Sequence, residues 1–524
     1  MSSPKYLAAL DIAASALSVL LFLKLFTLRS SRKHAFPPPG PRQLPIIGNL
    51  LDFPSHDHGE RLGRLRKQYG DLMSLRMMGQ TIIVINSARI ARDLLDRRAR
   101  IWSDRPVIPL LQLMQLYEWN TTFIPESPDH RAQRRIADRY LRPSALIPYR
   151  PMIRCRVDEL LRSLLHGPNE FKGHLRYFMT GVIMSIAFGY NLKGEKDVYV
   201  TKTEAFAEAI IDSMSPTSSI VNVFPILRHL PTWIPGIGKM RYVDEVRRLG
   251  LEIREEPFDF VKKSISDGTA EPSLSRHSFM MAEEDGQLSS KKNQEHTKHC
   301  SSLTLPFLAG VDTTGVALTN LVLALLLYPE VQRSAQTQLD SVVGRERLPS
   351  LDDRGKLPYI EATCKELLRW RLVTQIGIAH ATKDDDVYDG YFIPKGKHLS
   401  LDFAAMLHDP VRYPDPESFR PERFLTPSGE YNDDPHMAVA FGFGRRICPG
   451  RHLVDEILYT FVSSFLSVLT VEKKKDEDGN EIPVSGKHAV DVALSQPLPF
   501  ECSILPRDNR ASQLIQSTGD GQEN

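Results

Sequence analysis

The segment from Phe441 to Gly450 reads Phe-Gly-Phe-Gly-Arg-Arg-Ile-Cys-Pro-Gly. It sets a single cysteine, Cys448, behind a glycine-rich turn, with Arg446 two residues before it and Pro449-Gly450 after it. From His452 to Phe461 apolar residues recur at helical spacing, so the sulfur is expected near a helix N-terminus. Unpaired backbone N–H groups and the helix dipole favour a thiolate there over a thiol. A thiolate so held is a metal ligand or a nucleophile. A lone cysteine without such a frame is more often a small buried hydrophobe. The glycines let the backbone pass close to something flat and bulky, and Arg446 suits an acidic substituent on it.

Two further groups of residues carry chemistry. Ala309-Gly-Val-Asp-Thr-Thr314 places an acid and two hydroxyls inside a long apolar run, where polar groups are costly unless they find partners. Threonine hydroxyls can bond back to the preceding turn and loosen it, opening the ladder to a water or ligand. A kink satisfied locally fits that segment equally well. Glu366 and Arg369 stand three apart, on one helical face. Taken alone, such a pair reads as a solvated surface ion pair worth little.

The elements that must position these groups are mostly helical. Val157 to Leu165, Ala205 to Met214, Tyr242 to Lys263, Leu303 to Leu327 and Tyr359 to Arg371 show apolar recurrence at three to four residues. Alternation typical of strands is confined to Met73–Met77, Thr81–Asn86 and Tyr388–Ile393. Asp478-Gly479 reads as a hairpin turn. Ser264 to Ser302 reads as a loop-rich connection, and 507–524 as a polar flexible tail. A mainly α chain with a small β-sheet region follows.

The chain has 524 residues, with 66 basic and 64 acidic side chains, and this near balance gives no charge argument for nucleic-acid binding. Length alone allows roughly three domains, but with no repeat and no long linker one large domain is equally compatible. Five cysteines, odd in number and without paired ligand spacing, argue against a disulfide scaffold or a zinc site. Tyr6 to Leu28 is apolar and about long enough to span a bilayer. A cleaved signal peptide is the rival, but no small-residue cleavage site precedes the basic cluster Arg29, Arg32 and Lys33, which follows the apolar run. Pro37-Pro38-Pro39-Gly40-Pro41 reads as a stiff spacer behind such an anchor. The expected organisation is therefore 1–36 membrane anchor with basic flank, 37–506 catalytic body and 507–524 tail. The positive-inside rule leaves the body in the cytosol, out of reach of glycosylation at Asn120-Thr121-Thr122.

Phe441, Gly444, Arg446, Cys448 and Gly450 match the haem-binding signature of the cytochrome P-450 family, and the chain resembles that family from about Pro37 to Pro506. The resemblance implies the cytochrome P-450 fold and heme b, with Cys448 as the thiolate ligand to the iron. It implies that Thr313 hydrogen-bonds dioxygen or its water and that Asp312 relays protons from solvent. Glu366, Arg369 and Arg423 would form a buried network supporting the cysteine loop. Arg446, Arg134 and His380 would meet the haem propionates, although His380 is also compatible with a surface position. His130 stands where a tryptophan is usual four residues before that arginine, which leaves Arg131 and Arg135 as neighbours able to substitute for Arg134.

Expected substrate walls are the loop Leu110–Phe123 with Met114, Tyr117 and Trp119; Leu305, Leu308 and Ala309; Gln375 and Ile376; and Leu494 with Ser495. Their apolar character suits a lipophilic small molecule. The resemblance implies a monooxygenase of the oxidoreductase class, hydroxylating or epoxidising that molecule. Electrons would come from NADPH through a separate reductase, since this chain has no dinucleotide fingerprint of its own. Anchor, basic cluster and proline hinge are similar to microsomal members, implying a single-pass protein of the endoplasmic reticulum membrane. Arg369-Trp-Arg371 and Asp389 to Gly396 resemble fungal members, many of which act in secondary metabolism on terpenoid or polyketide scaffolds. The competing classes are a non-oxygenating haem sensor or carrier, and a peroxide-driven catalyst or isomerase. Asp312-Thr313 argues against both.

Overall fold

The computed structural model describes residues 36–45, 47–52, 58–77, 79–194, 196–214, 219–233, 237–284, 304–490 and 494–518. The apolar run Tyr6–Leu28 with its basic flank, and Cys300, lie outside the described residues.

Helices dominate. Those of eight residues or more are α1 His58–Tyr69, α2 Pro128–Leu141, α3 Arg150–His166, α4 Phe171–Phe188, α5 Val198–Met214 and α6 Val243–Ser266, then α7 Leu274–Glu284, α8 Thr304–Leu327, α9 Pro329–Val342, α10 Pro358–Trp370, α11 Arg451–Val468 and α12 Asn509–Ser517. The centre is α8, whose apolar residues bury Leu318, Leu321 and Leu325 together with Leu367 and Trp370 of α10 and Phe461 and Phe465 of α11. It packs most extensively on α4. An all-round apolar helix of this kind is stable only where neighbours cover every face. The stretch Ala309–Leu327 is long and apolar enough to cross a membrane by composition, yet it is mostly buried inside the body.

Strands β1 Leu72–Met77, β2 Gln80–Ile85, β3 His380–Ala381 and β6 His398–Leu401 form one sheet in the order β1-β2-β6-β3. β1 and β2 pair antiparallel, with Leu75 opposite Ile82, while β2 and β6 run parallel with Ile83 opposite Leu399. The stretch expected as one strand from Tyr388 to Ile393 is a hairpin instead, β4 Asp386–Tyr388 and β5 Tyr391–Ile393. Its turn is Asp389-Gly390, with φ of 51° and 79°, the left-handed pair that a tight hairpin requires. Asp478-Gly479 also sits in a turn, beneath the bridge from Lys475 to Glu481. β7 Leu469–Lys473 pairs with β10 Cys502–Pro506, and β8 His488–Val490 with β9 Ser495–Pro497.

Three other expectations change. The connection after Ser264 contains α7. The polar tail contains α12, capped by Asp508 and anchored through buried Ala511 and Ile515; two apolar contacts at i and i+4 suffice to dock a short, otherwise polar helix. The proline-rich segment lies along β1 rather than standing free: Ser74 N donates to Pro39 O at 2.8 Å and Ser74 Oγ to Pro38 O at 2.6 Å. A Cβ on Gly40 would meet the Ser74 carbonyl oxygen at 1.9 Å, so only glycine passes there.

Candidate active site

The cysteine loop is closed on itself by Cys448 N donating to Phe441 O at 2.8 Å. Gly444 has φ of 58°, and a Cβ on it would meet the Leu95 carbonyl oxygen at 2.0 Å, so the turn admits no other residue without rearrangement. α11 begins at Arg451, three residues after the cysteine. Burial pushes the Cys448 thiol up, against the opposing pull of the Gly450 and Arg451 N–H groups and the charges of Arg134 and Arg451. The helix start supplies donors as expected, but burial outweighs them. A thiolate here gains its full stabilisation from a cation set against the sulfur.

Arg134 on α2 donates from Nη2 to Ile447 O at 2.6 Å. Arg446 spends its three nitrogens on the carbonyls of Ser103 at 2.9 Å, Thr121 at 3.2 Å and Ile124 at 2.7 Å. Burial and the Arg134 charge push it down to about 10. Arg105 is buried, donating to Thr122 O at 2.8 Å and Ala379 O at 2.7 Å. Burial and the Arg446 charge lower its pKa as well. His380 is buried, not at the surface, and burial with Arg105 and Arg446 holds it neutral. His130 is 1% exposed, and neither ring nitrogen has a partner. Burial with Arg446, Arg134 and Arg105 pushes it down to about 3.

Three arginines, and two histidines held neutral by burial and by those charges, therefore converge on one buried region. Such a cluster calls for an anion with several acceptors. A haem fits it: carboxylates would relieve the repulsion among the arginines and accept the single N–H of neutral His130, and iron would meet the Cys448 sulfur.

One carboxylate already belongs to the surroundings. Glu126, 2% exposed at its side chain, pairs with Arg131 and Arg445 through Oε1 at 2.5 and 2.7 Å and with Lys383 through Oε2 at 3.1 Å. Burial opposes its charge, but hydrogen bonds from Lys383 and Arg131 overcome this and hold the carboxyl at about 2. Arg445 adjoins Arg446, so this cluster ties the cysteine loop to the start of α2. Arg105, His130 and Glu126 carry no local sequence signal; their partners are distant in the chain.

Glu366 and Arg369 are both fully buried, with Arg369 Nε on Glu366 Oε2 at 2.7 Å and Nη2 on Oε1 at 2.8 Å. Arg423 Nε lies 3.4 Å from Glu366 Oε1, and Arg420 N donates to the same oxygen at 2.8 Å. The surface ion pair that spacing alone suggests is thus a core network.

A cavity of about 630 Å³ is lined by Ala309, Asp312 and Thr313 of α8, by Tyr117, Phe123, Ile376 and Leu494, and by Arg105 of the cationic cluster. Thr313 Oγ1 donates to Ala309 O at 2.8 Å, the back-bond expected of a mid-helix threonine, while α8 continues unbroken. Asp312 lies 3.5 Å from Arg176, and burial raises its pKa against that charge.

Four of the expected walls differ. Met114 and Trp119 sit in an apolar cluster beside the cavity, Trp119 stacked on Phe206 at 6.5 Å between ring centres. Gln375 turns its amide oxygen to Gly59 N at 3.2 Å. Ser495 is buried in β9, its N–H on Val373 O at 2.8 Å. The Leu305 and Leu308 side chains lie outside the described residues. The segment Leu110–Phe123 contains two short helical turns, Pro109–Leu113 and Leu116–Trp119, and is non-helical from Asn120 onward. Sequence reading missed the wall from α5, where Phe206, Ala207, Ile210 and Ile211 face the cavity. Asn120 of the sequon is buried, its amide oxygen taking the Thr122 N–H at 2.9 Å.

The Cytochrome P450 family profile matches residues 38–499. Cytochrome P450 monooxygenase COX1 of Coprinopsis cinerea is 37% identical, over 96% of this chain and 98% of the relative. Cytochrome P450 monooxygenase claR of Ampulloclitocybe clavipes is 34% identical, over 100% and 95%. Cytochrome P450 monooxygenase 176 of Postia placenta is 35% identical, over 97% of each. With a cysteine loop and a cationic pocket suited to haem, and a match that runs nearly end to end, the chain belongs to the cytochrome P450 family, alongside the fungal monooxygenases it resembles.

Proposed function

We infer that the protein binds haem through the Cys448 thiolate and inserts one atom of dioxygen into a lipophilic small molecule, by hydroxylation or epoxidation. The observation that carries this reading is the cavity: Asp312 and Thr313 line an apolar space that Arg105 joins to the cationic cluster. Haem, when bound, supplies the dioxygen chemistry that no side chain here can perform.

The chain's own residues do the rest. Cys448 offers a thiolate, and Arg134 holds the peptide entering it. Arg105, Arg134, Arg446, His130 and His380 receive carboxylates. Phe206, Ile210, Ile376 and Leu494 exclude water and orient the apolar substrate. Thr313 holds a proton on Oγ1 at the cavity wall, and Asp312 takes up another from the solvent side. Glu366, Arg369 and Arg423 keep the cysteine region in shape.

Around this centre, electrons come from NADPH through a separate flavoprotein reductase. Tyr6–Leu28 anchors the chain in the endoplasmic reticulum membrane with its body in the cytosol. The substrate in this reading is a terpenoid or polyketide scaffold of secondary metabolism, as the resemblance of Arg369-Trp-Arg371 and Asp389–Gly396 to fungal members implies.

Co-expression with a reductase in yeast, with metabolite profiling against an empty vector, tests the reaction. An oxygenated product is expected, and Cys448→Ser abolishes both it and the red-shifted carbon monoxide band of the reduced protein. A band that persists in Cys448→Ser sinks the ligand assignment. Turnover with peroxide but none with NADPH and reductase sinks the monooxygenase reading.

A further inference from the structure

Asp312 is connected to the outside through a second helix and then a third. Its Oδ1 lies 3.5 Å from Nη2 of Arg176 on α4, and Nη1 of the same guanidinium pairs with Glu204 on α5. One arginine therefore bridges two carboxylates on two helices, and both helices wall the cavity, α8 through Asp312 and Thr313, α5 through Phe206, Ala207 and Ile210. Side-chain exposure rises along the series, from 16% at Asp312 to 34% at Arg176 and 42% at Glu204. Glu208, one turn beyond Glu204 on α5, adds a second negative charge that acts on Asp312.

A guanidinium stays protonated throughout the accessible pH range, so Arg176 cannot itself pass a proton. Its influence on Asp312 is electrostatic and geometric. Drawn toward Asp312, it favours the carboxylate. Drawn toward Glu204, it leaves Asp312 to burial and to Glu208, both of which favour the protonated acid.

We propose that Arg176, shared between Glu204 and Asp312, is a positioning residue that governs when Asp312 takes up a proton. Glu204 rides on the helix that carries Phe206, Ala207 and Ile210, so a substrate that displaces this wall changes the share of Arg176 left to Asp312. Filling of the cavity and proton uptake are thereby linked through α5. The consequence for turnover rests on the reading of Asp312 as a proton carrier; the control of its charge does not.

Infrared difference titration of the full-length, haem-loaded protein reads that charge directly, using the protonated-carboxyl band that Asp312→Asn removes. Arg176→Met raises the midpoint of this band by about one pH unit. Glu204→Gln lowers it, because Arg176 is then left to Asp312. Opposite signs exclude a general loosening of α4 against α8, and the sharing is marked by a Glu204→Gln shift that vanishes in the Arg176→Met background, where a direct effect of the Glu204 charge would persist. Midpoints that stay put, or shift together, overturn the proposal. Should Arg176→Met fail to fold, the sign for Glu204→Gln decides alone, with an unchanged or raised midpoint counting against it. Product formed per NADPH is a separate readout: if Asp312→Asn keeps the wild-type ratio while the midpoints still move apart, the proton-carrier role falls and the control by Arg176 stands.

Discussion

Arg134 Nη2 donates to the carbonyl oxygen of Ile447 at 2.6 Å, so α2 grips the peptide that leads into Cys448. The same guanidinium lies close enough to the sulfur to favour its thiolate. One side chain thus fixes the peptide entering the proposed ligand and adds to the pull toward its thiolate, against the larger effect of burial.

Arg134→Met removes both effects and leaves α2 otherwise intact. Haem transfer from the variant to apomyoglobin is expected to be roughly tenfold faster or more, the consequence of losing one charge-assisted hydrogen bond. Arg134→Lys falls between, because it keeps the charge without the planar fork. A transfer rate equal to wild type in both variants would show that the grip on Ile447 is not used.

Glu366→Gln leaves the fully buried Arg369 without its carboxylate. Breaking a buried pair from one side costs on the order of 3–5 kcal/mol. Soluble yield and the red-shifted carbon monoxide band are expected to drop together. Arg423→Met is milder, since Arg369 still holds both oxygens of Glu366.

Glu126 makes acid stability specific. Its carboxyl lies at about 2 in the folded protein, below the usual glutamate value, so the stabilisation is present above that usual value and disappears as pH falls through about 2. Because Arg131, Lys383 and Arg445 are all partly exposed and screened by solvent, the contribution at neutral pH is on the order of 1–2 kcal/mol, less than the full shift implies. Thermal melts between pH 6 and pH 3 should show Glu126→Gln less stable at the upper end and converging on wild type at the lower. Parallel curves across that range would remove Glu126 from the account.

Gly250 packs behind Phe206, which lines the cavity. A Cβ there would meet Phe206 at 2.8 Å and Trp119 at 3.2 Å. Since Trp119 is stacked on Phe206, Gly250→Ala must push the Phe206 ring toward the substrate space. A stability loss of about 1–3 kcal/mol is expected, with weaker binding of bulky ligands in spectral titrations and little change for small ones. Uniform weakening for all sizes would mean that the ring yields in another direction.

Helices whose apolar residues recur in register were legible in the chain: α3 and α5 contain the segments their periodicity marks, and α6, α8 and α10 match theirs to within one residue at one end. The β4–β5 hairpin was not, because Tyr388 and Ile393 flank Asp389-Gly390 closely enough to read as one alternating run. α12 escaped for another reason. Its two buried residues supply too little apolar pattern, and docking against the body stabilises the rest.

The Cys448 loop, the Asp312-Thr313 pair and the Glu366–Arg369 spacing were readable in the chain because each is a relation within one or two turns, where covalent geometry fixes what lies beside what. That the Glu366–Arg369 pair is core rather than surface, that Arg105 and His130 join Arg134 and Arg446, that Glu126 ties three cations, and that Arg176 stands between Glu204 and Asp312 came only with packing. Burial and Coulomb forces depend on distance through space, and residues as remote along the chain as Arg105 and Arg446 carry no spacing from which that distance could be read.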